Sequence, residues 1–291
     1  MAIVGIDLTN DSAQLHTRFD EGFVSVPPHV PWLAHAGQFT NANNATVNIW
    51  EFNHTVDPHI LSGWARHFRE HYCLDHQLAD GVAATGMTRA DFLRNLKFPN
   101  ASRPPGPSTR AGDFAEILAA DFVQYILGYW CPRLRYLDRF NPDDSTKGCD
   151  VVAFLFEGDD HDPDDELFIL EIKGALTGRP VNRLQDAIND SMKDGVREAT
   201  TLNAMRQRLI DGGRRDEANR VGRFQNETDR PFVRKNGAIA VLDNCVFDTA
   251  VLQLSDSANH PNAANLDLLV IKGDAMMALV HAIYERAANE A

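Results

Sequence analysis

Apolar residues recur at helical spacing in several stretches of the chain. Residues 58–75 predict an amphipathic helix, since its apolar positions fall three or four apart at Leu61, Trp64, Phe68 and Tyr72. A short helix is predicted at 88–96, with Thr88 as its N-cap. Residues 112–130 are apolar nearly all round, which predicts a buried helix. Longer helices are predicted at 182–210 and 274–288.

Short apolar runs bounded by polar turns predict strands at 47–53, 149–156, 167–173, 237–244 and 266–273. From residue 112 onward the order is helix, two strands, helix, two strands, helix. This order predicts an α/β fold with a central mixed sheet of about four strands flanked by helices. The polar segment 211–230 predicts a loop.

Residues 98–110 are dense in proline and glycine, which predicts a linker. We therefore expect an N-terminal α+β region over residues 1–104 and a main domain over residues 105–291. The N-terminal region carries no evident site of its own, so we expect it to bind a partner.

Composition narrows the classes of function. The 291 residues are 44% apolar with a net charge of −13, and no apolar run is long enough to span a membrane. Four widely separated cysteines suit a reducing cytoplasm, so we expect a cytoplasmic protein without membrane association. The negative charge argues against a protein that binds nucleic acid without a partner. It is compatible with a local basic groove, or with a partner that delivers the nucleic acid.

Charged residues stand at the ends of two predicted strands. Asp150 precedes the apolar run VVAFLF, and Glu171 and Lys173 close the run LFILEIK. A Glu-x-Lys tripeptide alone is close to chance for this composition. On a strand, however, Glu171 and Lys173 share a face. If the two strands form a hairpin, Asp150 lies beside them.

Glu116 adds a third carboxylate, on an apolar face of the helix predicted at 112–130. A lone buried carboxylate is costly, so we expect a cation beside it: Lys173, an arginine, or a metal shared with Asp150 and Glu171. Glu116, Asp150 and Glu171 suit Mg²⁺, with Mn²⁺ as a possible substitute. Lys173 would then orient or help to deprotonate a metal-bound water that attacks a phosphodiester. The alternative is a structural salt bridge at the strand ends.

These residues, in this order, resemble the PD-(D/E)xK nuclease superfamily over about residues 111–288. The resemblance rests on Glu116 in a core helix, Gly148-Cys149-Asp150 at a strand start, and Glu171-Ile172-Lys173 on the next strand. It implies a restriction-endonuclease-like core and metal-dependent nuclease activity. Members often carry a glutamine in the next helix, which makes Gln185 a possible supporting residue.

A second resemblance spans most of the chain. The segments HFREHYCLDH, TRADFLRNLKFP, AGDFAEILAADF, STKGCDVVAF and LDLLVIKG are similar to those of the HamA-type nuclease subunit of the Hachiman anti-phage defence system. This resemblance implies a prokaryotic two-protein system in which the nuclease associates with a superfamily-2 helicase that loads on DNA. Two alternatives stay open: a non-catalytic adaptor that restrains or positions a helicase, and a stand-alone nuclease.

Three further features have a plainer interpretation beside a functional one. His67 and His71 have a spacing that zinc can use, with Cys73 and His76 nearby, but there is no HExxH and no second group of ligands. By default they are histidines beside an aromatic stripe. Lys193 and Arg197 could meet a phosphate, although neighbouring acids favour a solvated helix face. The insert EGDDHDPDDE predicts a solvated hairpin loop.

Overall fold

One mixed sheet organises the chain. A computed structural model describes residues 25–291, apart from the side chains at positions 194 and 196. The strands of the sheet are β1 (Leu33–Thr40), β2 (Thr46–Phe52), β3 (Val151–Leu155), β4 (Glu166–Ala175), β5 (Val233–Asp243) and β6 (Leu266–Gly273). Their spatial order is β1-β2-β6-β5-β4-β3. The four inner strands are parallel to one another, and both edge strands are antiparallel to their neighbours.

The sheet has six strands, so the expectation of about four was wrong. β2 corresponds to the strand predicted at 47–53, and it pairs with β6 from the other end of the chain. β1 was not predicted, because an edge strand with mostly exposed side chains and an irregularity between His35 and Gly37 shows no apolar run. The predicted N-terminal region and main domain therefore share one sheet.

The helices surround this sheet. They are α1 (Pro58–Glu70), α2 (Asp75–Thr85), α3 (Arg89–Phe92), α4 (Gly106–Tyr125), α5 (Arg183–Ser191), α6 (Asp194–Asp211), α7 (Arg215–Gly222), α8 (Thr249–Leu252) and α9 (Met276–Asn289). Thr88 caps α3 as predicted, since its hydroxyl accepts from the Asp91 amide. None of the helices in the described residues is long and apolar enough to cross a membrane.

Three helix predictions need correction. The single helix predicted at 182–210 is two helices, α5 and α6, with a turn at Met192 and Lys193 where the Lys193 amide bonds the Asp190 carbonyl. The segment predicted as a loop at 211–230 contains α7, which buries Ala218 and Val221 in a small apolar cluster. The predicted linker at 98–110 already contains the first turn of α4.

The sheet is covered on both faces. Side chains at alternate positions of β4, such as Phe168, Leu170 and Ile172, pack with α4 and α9 in the largest apolar cluster. Ala175 packs on the opposite face, with α5. Glu171 and Lys173 share that opposite face with Ala175 because side chains alternate along a strand. Glu116 therefore approaches from the face of the sheet that α4 covers, whereas the side chain of Glu171 lies on the opposite face.

Candidate functional site

The β3–β4 hairpin sets the position of Asp150. The antiparallel pairing expected from the sequence is confirmed, with Val151 opposite Leu170. Asp150 Oδ2 accepts a hydrogen bond of 2.9 Å from the backbone amide of Ile172. This bond fixes the Asp150 carboxylate beside the segment of β4 that carries Glu171 and Lys173. Gly148 enters this strand with φ of +103°, a backbone conformation that favours glycine.

Glu171 and Lys173 meet basic and acidic side chains from the next two helices. Glu171 is only 2% exposed, and its Oε1 accepts a 3.2 Å hydrogen bond from Nη1 of Arg197 on α6. Lys173 Nζ lies 3.8 Å from Glu171 Oε2 and 2.6 Å from Oδ2 of Asp190 on α5. Lys193 Nζ lies 2.5 Å from the other Asp190 oxygen. The lysine of the Glu-x-Lys pair is therefore held by a carboxylate outside that pair.

Glu116 reaches the same sheet edge from α4. A Cβ atom at Gly174 would come within 3.3 Å of the Ala115 Cβ, so the glycine allows α4 to lie close to β4. Glu116 Oε2 lies 2.7 Å from Nε of Arg135 and also accepts a hydrogen bond from the Tyr136 hydroxyl. The buried carboxylate thus has the arginine partner that was one of the expected alternatives.

Arg135 bridges Glu116 and Asp150. Its Nη2 donates to Asp150 Oδ1 at 2.7 Å and to the Thr146 carbonyl at 3.1 Å. Its Nη1 donates to the Cys149 carbonyl. We call Glu116, Arg135, Asp150, Glu171, Lys173 and Asp190 together the edge site. Within the edge site, the Arg135 guanidinium lies between the carboxylates of Glu116 and Asp150. A metal cation bound to both carboxylates would occupy the same place.

Burial and charge shift the protonation of the edge site. Burial raises the pKa of Glu116 to about 8, with Arg135 opposing and Asp150 reinforcing the shift. Burial disfavours the charged form of Arg135, but Glu116 and Asp150 outweigh it and raise the pKa of that guanidinium. Burial also disfavours the charged form of Lys173. The nearby carboxylates of Asp190 and Asp150 outweigh this effect, so the pKa of Lys173 is raised. Lys173 is therefore an ammonium at neutral pH.

The carboxylates of the edge site are of the ligand type that binds magnesium, but their oxygens do not converge on a single position. Oxygen donors from Glu116, Asp150 and Glu171 are the ligand type that Mg²⁺ prefers. Within the described part of the chain, however, their oxygens do not all lie within 4.8 Å of one another. Arg135 stands between the first two. A metal held by all three requires Arg135 to withdraw and Glu116 to be ionised.

A cavity of about 440 Å³ opens beside the edge site. Part of its wall is apolar, including Ile117, Leu134 and Met205. Its charged lining comprises Glu116 and Asp150 on the acidic side and Arg133, Arg135, Lys147, Arg197 and Arg208 on the basic side. Most of these basic side chains are already paired with acids: Arg133 with Asp121, Arg135 with Glu116 and Asp150, Arg197 with Glu171, and Arg208 with Asp138. The cavity wall is therefore a network of ion pairs rather than a purely basic surface.

The predicted supporting residue Gln185 lies on α5 but its side chain contacts another loop. Its Oε1 accepts from the Asp256 amide at 2.6 Å, and its Nε2 donates to the Asp256 carbonyl at 3.2 Å. Asp190, one turn further along the same helix, is the α5 residue that contacts Lys173. The sequence offered no pattern for Asp190, because its pairing with Lys173 depends on how α5 packs against β4.

The two basic residues at the start of α6 belong to the edge-site surroundings. Arg197 bonds Glu171 and Lys193 pairs with Asp190, so the interpretation as a merely solvated face was incomplete. Glu198, which had favoured that interpretation, is itself buried and paired with Arg234.

Histidines form a second polar cluster, which we call the histidine cluster: His29, His67, His71 and Asp121. Asp121 is fully buried and lies 2.9 Å from Nε2 of both His29 and His67. Burial, followed by the charges of His67 and Arg133, holds the pKa of His71 well below its usual value. Burial opposes the charge of Asp121, yet His67 and Arg133 hold the pKa of that carboxyl well below its usual value. Cys73, which the sequence placed among the possible ligands, instead directs Sγ to the Leu74 carbonyl.

The fold and the edge site define an α/β protein with acidic and basic side chains gathered at one edge of a helix-covered mixed sheet. The HamA family model matches residues 28–287, and the chain belongs to the HamA family. This membership indicates a component of the Hachiman defence system. Comparison with curated proteins gave no match.

Proposed function

We propose that the chain is a Mg²⁺-dependent deoxyribonuclease that hydrolyses phosphodiester bonds. Membership of the HamA family supports this proposal, as does the resemblance of the Asp150, Glu171 and Lys173 pattern to PD-(D/E)xK nucleases. The observation that carries it is the meeting of these three residues at the end of one hairpin, with Glu116 joined to them through Arg135.

Each residue of the edge site has a distinct proposed role. Asp150 and Glu171 would hold Mg²⁺ (or Mn²⁺), with Glu116 as a third ligand if Arg135 is displaced from it. The ion supplies Lewis acidity and lowers the pKa of a bound water. Lys173, held by Asp190 and protonated at neutral pH, places positive charge beside the scissile phosphate and orients the water rather than accepting its proton.

Basic residues around the cavity would hold the substrate's phosphates. Lys147 lines it beside Asp150, and Arg197, which also lines it, would be shared between Glu171 and a phosphate of the substrate. The net charge of −13 still makes unaided DNA binding weak. We therefore propose that the chain is the effector subunit of a complex whose superfamily-2 helicase delivers DNA to it.

We expect the helicase to contact the N-terminal region, residues 1–104, which was predicted to bind a partner. Residues 1–24 of that region lie outside the described residues. The described part contributes β1, β2 and α1–α3 to one side of the molecule.

The test of nuclease activity uses a lysine variant with a matched control. The complex with its helicase is incubated with DNA, Mg²⁺ and ATP, and cleavage is measured. Lys173→Ala is expected to reduce cleavage by about 100-fold or more, because charge stabilisation at a reacting phosphate is worth several kcal/mol. Lys272 is the control: it lies in a similar Ile-Lys-Gly sequence on β6 and pairs with Glu51 at 2.9 Å.

Lys272→Ala should cleave like the unaltered protein. If Lys173→Ala cleaves as fast as Lys272→Ala, the assigned role of Lys173 is wrong.

One observation favours a second function, a non-catalytic adaptor. Arg135 pairs with both Glu116 and Asp150, which is also the arrangement that a purely structural edge site would have. Calorimetry with Mg²⁺ and Mn²⁺ separates the two functions. An adaptor would bind neither ion at these carboxylates and would keep phage defence in the Asp150→Ala variant.

A further inference from the structure

The histidine cluster brings metal-ligating atoms together at a place that the proposed nuclease chemistry does not use. His67 and His71 lie one turn apart on α1 and in the turn that follows it, and Asp121 comes from α4. One ligand atom from each of these three residues lies within 4.8 Å of the others. Nothing in this arrangement depends on the edge site being catalytic.

The distances between these atoms are close to those of a bound ion. A tetrahedral zinc site with bonds of about 2.0–2.1 Å separates its ligand atoms by roughly 3.3 Å. Nε2 of His67 lies 3.4 Å from Nε2 of His71 and 2.9 Å from Asp121 Oδ1. The ligand atoms of His71 and Asp121 lie within 4.8 Å of each other.

The three candidate ligands of the cluster come from α1, from the turn that follows it and from α4. Two imidazole Nε2 atoms face each other at 3.4 Å, and His67 Nε2 is also within hydrogen-bond distance of Asp121. A cation placed between the two rings would accept the lone pairs of both Nε2 atoms, which a single N–H between them cannot do. Two imidazoles that converge on one carboxylate are a common donor set for Zn²⁺.

The surroundings also hold the ligands in place. His29 Nε2 lies 2.9 Å from the second oxygen of Asp121, and its ring stacks on Trp64 with 4.4 Å between centroids. A residue that hydrogen-bonds a metal ligand holds that ligand in its binding orientation. Losing such a residue commonly weakens metal affinity by roughly 10- to 100-fold. Arg133 Nη2 lies 2.9 Å from Asp121 Oδ1, so a zinc ion bound to that oxygen requires Arg133 to withdraw from it.

We propose that His67, His71 and Asp121 bind one Zn²⁺ ion, with His29 orienting Asp121. The ion joins α1 to α4. His71 also lines the 440 Å³ cavity, so water or another small ligand from that cavity can take the fourth coordination position. The site is separate from the magnesium site proposed at the sheet edge.

The experiment is a zinc titration of the full-length chain. The protein is stripped with a chelator, dialysed, and titrated with Zn²⁺ in competition with a chromogenic zinc indicator. One equivalent is expected, with affinity reduced at least about tenfold in His67→Ala and in His71→Ala. His76→Ala is the matched control, because His76 is an exposed histidine of the same segment, and it should bind like the unaltered protein.

Co²⁺ gives a second measurement that reports the ligands directly. The proposal predicts the visible bands of a four-coordinate nitrogen and oxygen site, absent in His71→Ala. Circular dichroism of each metal-free variant establishes that it is folded. Failure of the stripped protein to bind zinc, equal affinity in His71→Ala and His76→Ala, or a sulfur-to-cobalt charge-transfer band would each overturn the assignment.

Discussion

At the scale of single residues, Arg135 determines the charge balance of the edge site. It contacts Glu116 and Asp150 at 2.7 Å each and is 15% exposed. Removing this guanidinium would leave Glu116 with the Tyr136 hydroxyl and Asp150 with the Ile172 amide, and the remaining buried negative charge without its cation would cost several kcal/mol. Arg135 therefore stabilises the metal-free protein in the same place where Mg²⁺ would stabilise the metal-bound one.

Arg135→Gln is expected to lower the free energy of unfolding by about 3 kcal/mol without metal, since it leaves the buried acids unpaired. Millimolar Mg²⁺ should restore much of this loss by occupying the vacated position. Thermal melts with and without Mg²⁺ measure both effects. Arg139→Gln is the matched control, because Arg139 pairs with Asp113 of the same helix away from Asp150 and Glu171.

The control should lose stability without rescue by Mg²⁺. Equal loss with and without Mg²⁺ in Arg135→Gln would show that Arg135 and the metal do not compete.

The Lys173–Asp190 pair makes a pH-dependent contribution to stability. Burial opposes the charge of Asp190, but hydrogen bonds from Lys173 and Lys193 lower the pKa of Asp190 to about 2. A depressed carboxyl pKa stabilises the folded state above the unfolded value near 4, and the contribution is lost as pH falls from about 4 to about 2.

Asp190→Asn should therefore cost about 1 kcal/mol at pH 6, a value reduced by solvent screening. The difference from the unaltered protein should shrink as pH falls below 4. Urea unfolding at pH 6 and pH 3 provides the comparison. A difference that is constant between these pH values would mean that Asp190 acts through packing rather than charge.

At the scale of elements, α4 is held by the irregular segment that follows it. Three acids of α4 each pair with an arginine of that segment: Asp113 with Arg139, Glu116 with Arg135, and Asp121 with Arg133. The helix is buried nearly all round as predicted, and these pairs explain how it can carry buried acids. α4 thereby serves both the edge site and the histidine cluster.

The contact between α4 and β4 depends on Gly174. A larger side chain there would push against Ala115 and the Ala111 carbonyl, so Gly174→Val is expected to lower the free energy of unfolding by about 1–3 kcal/mol. Gly158→Val is the control, because a Cβ at this loop position would meet no atom within 4 Å. It measures the effect of replacing a glycine by valine where no close packing is disturbed. Chemical denaturation checks both, and equal stability of the two variants would contradict close packing at Gly174.

The sequence predicted the elements with strong local signals and missed those without them. The hairpin of β3 and β4, the buried α4 and the strands β5 and β6 follow from apolar runs. The edge strand β1 and the helix α7 lack such runs, and the division of α5 from α6 is marked only by Gly195, which itself lies in the first turn of α6. Asp150, Glu171 and Lys173 could be grouped because strand periodicity relates them, whereas Arg135 and Asp190 reach the edge site only through tertiary packing.

At the scale of the whole molecule, the two ends of the described chain build one core. β2 lies against β6, and α1 packs with α9 through residues such as Phe68 and Tyr284. A fragment of residues 105–291 would expose the edge of β6 and the apolar face of α9. It is expected to be aggregation-prone or far less stable than the full chain.

Expression of that fragment with light scattering and thermal melting tests this expectation and the predicted boundary at residue 104. A monomeric fragment with the stability of the full chain would establish residues 105–291 as an independent domain.

We propose that the edge site cuts DNA with the help of a divalent metal. The most direct test of this proposal is DNA cleavage by the helicase complex carrying Glu171→Gln, which keeps the shape of the side chain and removes its charge. Glu166→Gln, at the other end of β4 where Glu166 bonds the Tyr129 hydroxyl, is the control. We predict that Mg²⁺-dependent cleavage falls by about 100-fold or more in Glu171→Gln and is retained in Glu166→Gln; equal cleavage by both variants would contradict the account.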